Sequence, residues 1–124
     1  MQLQPMIAVR DVQASSRWYQ EVLALDSAHG GDEYEMLTHA DVLVLQLHKA
    51  DRHEHPLMGE PGGSGVVLWF GEADFDAVLE RIESTGIPIA DGPLVNPLAH
   101  HREVWLRDPD GHVVVVSSPL GDLG

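Results

Sequence analysis

His101, Glu103 and Trp105 occupy alternate positions of a β-prone stretch that ends at Arg107-Asp108, so on a strand their side chains share one face. Gln46 and His48 have the same spacing in the run Val-Leu-Val-Leu-Gln-Leu-His that ends at His48. An imidazole beside a carboxylate can serve as a general acid/base pair. With His48 added, His48, His101 and Glu103 have the composition of a two-histidine, one-carboxylate metal set. The ordinary alternative for Glu103 is a salt bridge with Arg102 or Arg107 of a neighbouring chain, or solvation at a sheet end. A second grouping, Asp51, His53, Glu54 and His55, looks metal-like by composition. It lies in a polar loop without a scaffold to fix coordination geometry, so it is not assigned as a site. Asn96, before His100-His101, can bond a ligand at a rim or serve the turn that Asn-Pro favours. His39 and His112 are expected to be exposed turn residues.

The whole composition narrows what such residues can act on. The chain has 124 residues and 44% hydrophobic content, which fits one globular domain. Seven basic against 20 acidic side chains give a formal charge of -13, which repels phosphate backbones and anionic lipids. Nucleic acid and membrane surfaces are therefore not expected partners. With no cysteine there is no disulfide framework and no thiolate chemistry. The longest apolar run, residues 66–70, is far shorter than the roughly 20 residues of a membrane span. The N-terminus lacks the basic-then-apolar design of a secretion signal, so a cytoplasmic location is expected.

The elements that must carry the candidates follow from pattern. Residues 3–9 read as a strand, and Asp11 caps a helix whose stripe includes Val12, Trp18, Tyr19, Val22 and Leu23. Residues 26–31 are a break or short strand, and residues 33–38 and 42–48 are strands about a turn at 39–41. Residues 49–63, rich in Gly and Pro, form a linker or exposed loop in which 55–58 can close over a site as a lid. Strand 65–70 then leads to a helix opened by Asp74, with Phe75, Val78, Leu79 and Ile82 on its stripe and an end near Gly86. A short strand over 87–90, a loop over 91–100 and a hairpin complete the chain. Pro109-Asp110-Gly111 supplies the hairpin's turn chemistry, and Val113 to Val116 has no polar face and should be covered on both sides. Both halves thus read β-α-β-β-β. Two half-sheets facing one another leave a concave space suited to a ligand.

The motifs Val9-Arg-Asp-Val12, Ser16-Arg-Trp-Tyr19 and Val22-Leu23, then Phe75-Asp-Ala-Val78, Gly86 and Leu106-Arg-Asp-Pro-Asp-Gly111, resemble the vicinal oxygen chelate superfamily. That superfamily includes glyoxalase I, extradiol dioxygenases, and fosfomycin and bleomycin resistance proteins. The resemblance implies an α+β fold of two βαβββ modules forming a cupped mixed sheet, here modules 1–50 and 64–119 joined by loop 51–63 in one domain. It implies a homodimer with the site inside the cup.

Metal-dependent members resemble one another in placing a ligand on the first and last strand of each module. The equivalent positions here offer Gln4 and Gln46, no His, Asp or Glu in strand 65–70, and Val115 where the family has glutamate. Two carboxamides and apolar positions lack the charged and imidazole donors that hold a divalent ion, so the usual metal site and any cofactor are expected to be absent. Family tyrosines that contact substrate resemble Trp105 in position. On that basis Gln4, Gln46, His48, His101, Glu103 and Trp105 line the cup with Met6 and Val115. Trp105 can stack on a flat ligand or simply pack, and Gln4 and Gln46 can orient a ligand or pair with each other. The expected function is metal-independent binding of a small molecule, resembling the bleomycin-resistance branch. The alternative is a lyase, isomerase or dioxygenase with its metal shifted to His48, His101 and Glu103. A third possibility is a partner subunit whose cup is filled by its own side chains.

Overall fold

The structure, a computed structural model, describes residues 2–51, 61 and 66–124. Residues 53–55 of the metal-like grouping and the lid segment 55–58 lie outside the described residues. The elements run β1 (Met6–Val9), α1 (Val12–Leu23), β2 (Asp26–Ser27), β3 (Tyr34–His39), β4 (Val42–Lys49), β5 (Val67–Gly71), α2 (Phe75–Thr85), β6 (Asp91–Asn96), β7 (His101–Arg107) and β8 (Val113–Ser117). They form two four-stranded mixed sheets, ordered β1-β4-β3-β2 and β5-β8-β7-β6, each with one helix. This is the α+β, twice βαβββ arrangement expected. The chain divides into two units, residues 1–64 with 109–111, and residues 65–108 with 112–124. Among the described residues no helix is long and apolar enough to cross a membrane.

In the first unit Asp11 accepts the Ala14 amide at 2.9 Å and starts α1. The buried stripe is Val12, Ser15, Ser16, Tyr19, Val22 and Leu23, so two small serines fill the turn between large apolar groups. α1 packs on β2, β3 and β4, where Leu37, Leu45 and Leu47 are fully buried. β3 and β4 are joined through Ala40 and Asp41, both at positive φ, as a tight two-residue hairpin turn requires. The Pro109–Gly111 turn clusters with this unit, and Asp110 there accepts hydrogen bonds from the Arg10 amide (3.1 Å) and the Ser15 hydroxyl (3.3 Å).

In the second unit Asp74 caps α2, which buries Phe75 and Ile82 and ends at Gly86 in the left-handed region. β5 runs parallel to β8, and β7 runs antiparallel to both β8 and β6. Val114, Val115 and Val116 of the unbroken apolar run are buried as expected, while Val113 at its start is half-buried.

Several local expectations change. The first strand begins at Met6 rather than residue 3, which leaves Gln4 exposed and outside it. Residues 87–90 are not a strand, and residues 91–96 are one rather than a loop. β6 is an edge strand with a register shift between Asp91 and Leu94, so Pro93, which has no N–H to give, is tolerated there. His112 is buried rather than exposed: its amide and Nδ1 both bond the Asp108 carboxylate, at 2.8 and 2.9 Å to the nearer oxygens. His39 is exposed, as expected.

Candidate functional site

The second sheet carries a compact polar and aromatic cluster on the face opposite Leu68, Val104 and Leu106. Register places Trp69, Val115 and Trp105 in one row across β5, β8 and β7, and Gly71, Ser117, Glu103 and Leu94 in the next. Neighbours across a ladder share a face, so these rows set the site's floor.

Glu103 is its centre. Only 3% exposed, it accepts hydrogen bonds from Asn96 Nδ2 (2.9 Å), Trp105 Nε1 (2.9 Å) and His101 Nε2 (2.6 Å). Burial alone would raise its carboxyl pKa, but the three donors and the nearby imidazole outweigh that and hold it below its ordinary value. Glu103 is therefore a carboxylate at neutral pH. Two lone pairs cannot face each other at 2.6 Å, so His101 Nε2 carries a proton. His101 Nδ1 is buried and has no hydrogen-bond partner among the described residues.

Trp69 closes this corner. Its ring lies 5.9 Å from that of His101 and 6.1 Å, edge to face, from that of Trp105, and its Nε1 donates to Ser117 Oγ at 2.8 Å. It stays 47% exposed on the edge strand β5. A Cβ added at Gly71, two residues along, would meet nothing within 4 Å. The arrangement can grip a flat molecule by aromatic contact, with a fixed imidazole–carboxylate pair beneath.

The expected set is thus partly brought together. His101, Glu103 and Trp105 form one hydrogen-bonded cluster. The structure adds Trp69 and Ser117, and gives Asn96 its turn role, since its Oδ1 accepts the amides of Leu98 (3.0 Å) and Ala99 (3.2 Å) while its Nδ2 bonds Glu103. Within the chain Arg102 bonds Asp76 at 2.6 Å and lies over the Phe75 ring.

Gln46 and His48 belong to the first unit and share the half-exposed face of its sheet, opposite Leu45 and Leu47. Gln46 Oε1 accepts from Tyr34 Oη at 2.5 Å, and Nε2 donates to the backbone oxygen of Gln4 at 3.0 Å. The glutamines do meet, through the Gln4 main chain. His48 Nδ1 lies 2.8 Å from the Lys49 oxygen, and Tyr34 stands opposite it in the ladder. Met6, 46% exposed, is the ladder partner of Gln46.

A different carboxylate went unnoticed in the sequence. Glu35, 2% exposed, accepts from the Ser16 (2.8 Å) and Ser27 (2.7 Å) hydroxyls and from the amides of His29 (3.1 Å), Gly30 (2.8 Å) and Met36 (3.0 Å). Burial would raise its pKa, and these donors more than reverse that. A cavity of about 280 Å³ lies beside it, lined in part by Gln13, Arg17 and Gln20. With both oxygens already occupied by donors, Glu35 ties α1 to the β2–β3 connection.

The positions that correspond to family metal ligands do not fit a metal. Gln46 has its carbonyl committed to Tyr34, Gln4 presents its main chain, Val115 is apolar and buried, and β5 offers only Val, Leu, Trp, Phe and Gly. Among the described residues no three His, Cys, Asp or Glu side chains are grouped to hold an ion.

Comparison with known proteins agrees with the architecture. A model of the Glyoxalase/Bleomycin resistance protein/Dioxygenase superfamily matches residues 2–116. Among solved structures, a protein of unknown function from Agrobacterium tumefaciens str. C58 is similar with a TM-score of 0.78 at 22% identity, over 97% of this chain and 95% of that one. A glyoxalase/bleomycin resistance protein/dioxygenase family enzyme from Burkholderia phytofirmans PsJN gives 0.77 at 19%, over 97% and 100%. A lactoylglutathione lyase from Agrobacterium tumefaciens gives 0.72 at 20%, over 94% and 92%. At such identities the structures speak for the fold alone, while the family model spans most of the sequence. The chain belongs to the Glyoxalase/Bleomycin resistance protein/Dioxygenase superfamily.

Proposed function

We propose that this protein is a metal-independent small-molecule binding protein, which sequesters a flat, neutral or cationic ligand on the open face of its second sheet. The observation that carries the reading is the cluster of Trp69, Trp105, His101 and Glu103, where two indoles flank a pre-ordered polar pair. A site whose polar groups are already fixed loses little freedom on binding. The donor set supports metal independence, since carboxamides and valine stand where ligands would be required. The net charge of -13 favours cations over anions near the surface. The reading includes a homodimer, as the family resemblance implies, to be checked by light scattering.

The test is a thermal-shift screen of cationic and aromatic compounds against protein purified without a metal-affinity tag, with elemental analysis of the same sample. Stabilisation by such compounds in metal-free protein is the expected result. Stoichiometric zinc, nickel, iron or manganese that is lost in His101→Ala would overturn metal independence, and a screen without hits would overturn binding.

A further inference from the structure

Buried polar atoms almost always have partners, and the exceptions call for a reason. His101 Nδ1 is such an exception. The residue is only 6% exposed, its Nε2 is committed to Glu103, and among the described residues Nδ1 has no hydrogen-bond partner. In the neutral ring, whose one proton lies on Nε2, Nδ1 presents a bare lone pair. Asn96 and Trp105 hold Glu103 from two other directions, so the imidazole cannot turn to satisfy Nδ1 without giving up its charged partner.

The ring near it is the least secured of the cluster. Trp69 sits on an edge strand, is 47% exposed, and among the described residues has one polar anchor, Ser117 Oγ. About half of its surface is already wet, so moving it uncovers less apolar surface than moving a fully buried ring would. The space above Gly71, on the same face of the same strand, is open.

We propose that Trp69 is a movable wall, and that its departure from Ser117 lets a planar ligand place a ring N–H or O–H donor on His101 Nδ1. This rests on the binding reading above and adds to it the recognised group. The ligand is a flat heteroaromatic compound, neutral or cationic, with a hydrogen-bond donor in its ring. A ligand of the same shape without the donor gains no bond at Nδ1 and binds more weakly.

The probes are tryptamine and 1-methyltryptamine, which differ by one methyl on the ring nitrogen. Calorimetry on the full chain should show tryptamine binding at least tenfold more tightly. On saturation, the ¹⁵N resonance of His101 Nδ1 should move from the position of a bare lone pair to that of a hydrogen-bond acceptor. Ser117→Ala, which releases the wall without touching His101, should strengthen tryptamine binding severalfold, and His101→Phe should erase the discrimination. The wild-type ¹⁵N measurement stands even where His101→Phe does not fold. Equal affinity for the two probes, an unmoved Nδ1 resonance, or no tryptamine binding by a protein that binds other compounds of the screen would overturn this inference alone. Failure of every compound to bind would overturn the binding reading with it.

Discussion

Two buried carboxylates, Glu35 and Glu103, are each ringed by donors, and in both the donors outweigh the cost of burial. The consequence is a definite pH dependence. Each has a folded-state pKa below its ordinary value of 4.5, so the unfolded chain binds the proton first as pH falls. The stability they contribute is fully present above about pH 4.5 and is lost as pH falls toward the lower folded values. Urea unfolding between pH 7 and pH 3 should show this acid limb, and Glu35→Gln should flatten it. A limb of unchanged steepness in that variant would place the effect elsewhere. Glu103→Gln brings two new donors among three existing ones, so a donor must face a donor; a loss of about 2 kcal/mol is expected in the same experiment at pH 7. His101 would also lose its preference for a proton on Nε2, visible in its ring ¹⁵N shifts.

At the scale of elements, the site depends on β6 lying against β7. Gly92 has φ +92, and a Cβ there would meet the Glu103 carbonyl oxygen at 2.8 Å and the Leu94 nitrogen at 3.0 Å. These are backbone atoms that cannot swing aside. Gly92→Ala should therefore cost on the order of 2 kcal/mol or more in urea unfolding and should disturb the His101 ¹⁵N signals, because the β6 partner Asn96 holds Glu103. Unchanged stability would mean that the strand end adapts freely. What was legible in the sequence follows the same division. The shared face of His101, Glu103 and Trp105 needs only strand alternation, and both helices announce themselves by an Asp cap and an apolar stripe. β6 was hidden because Gly92, Pro93 and Pro97 read as loop, and only its place at a sheet edge makes Pro93 acceptable. Trp69 was hidden in an unbroken apolar run, and its partner Ser117 is 48 positions away in the chain. Glu35 lies in a strand with nothing beside it in sequence to mark it as buried, and its donors arrive from α1, from β2 and the β2–β3 connection and from its own strand. Such pairings exist only once the sheets are assembled.

For the whole molecule the dominant physical fact is charge. The excess of 13 acidic groups is spread over the chain, whereas Glu35 and Glu103 are locally satisfied by donors; the field felt by an approaching solute comes mainly from the exposed carboxylates. Exposed charges are screened over about 8 Å at physiological ionic strength, and almost entirely at about 1 M salt. A cationic ligand should therefore reach the site faster at low salt, while a neutral one of the same shape should not. We expect the association rate of tryptamine to fall roughly tenfold between about 0.01 M and 1 M salt, within the range that electrostatic steering gives, and that of 3-methylindole to stay level. Surface plasmon resonance on the immobilised full chain measures both rates. Contact within the aromatic corner is short-ranged and nearly salt-independent, so dissociation rates should change little for either compound. If the two compounds showed the same salt dependence of association, the acidic surface would have no part in ligand capture, and the preference for cations would have to reside in the indole faces themselves.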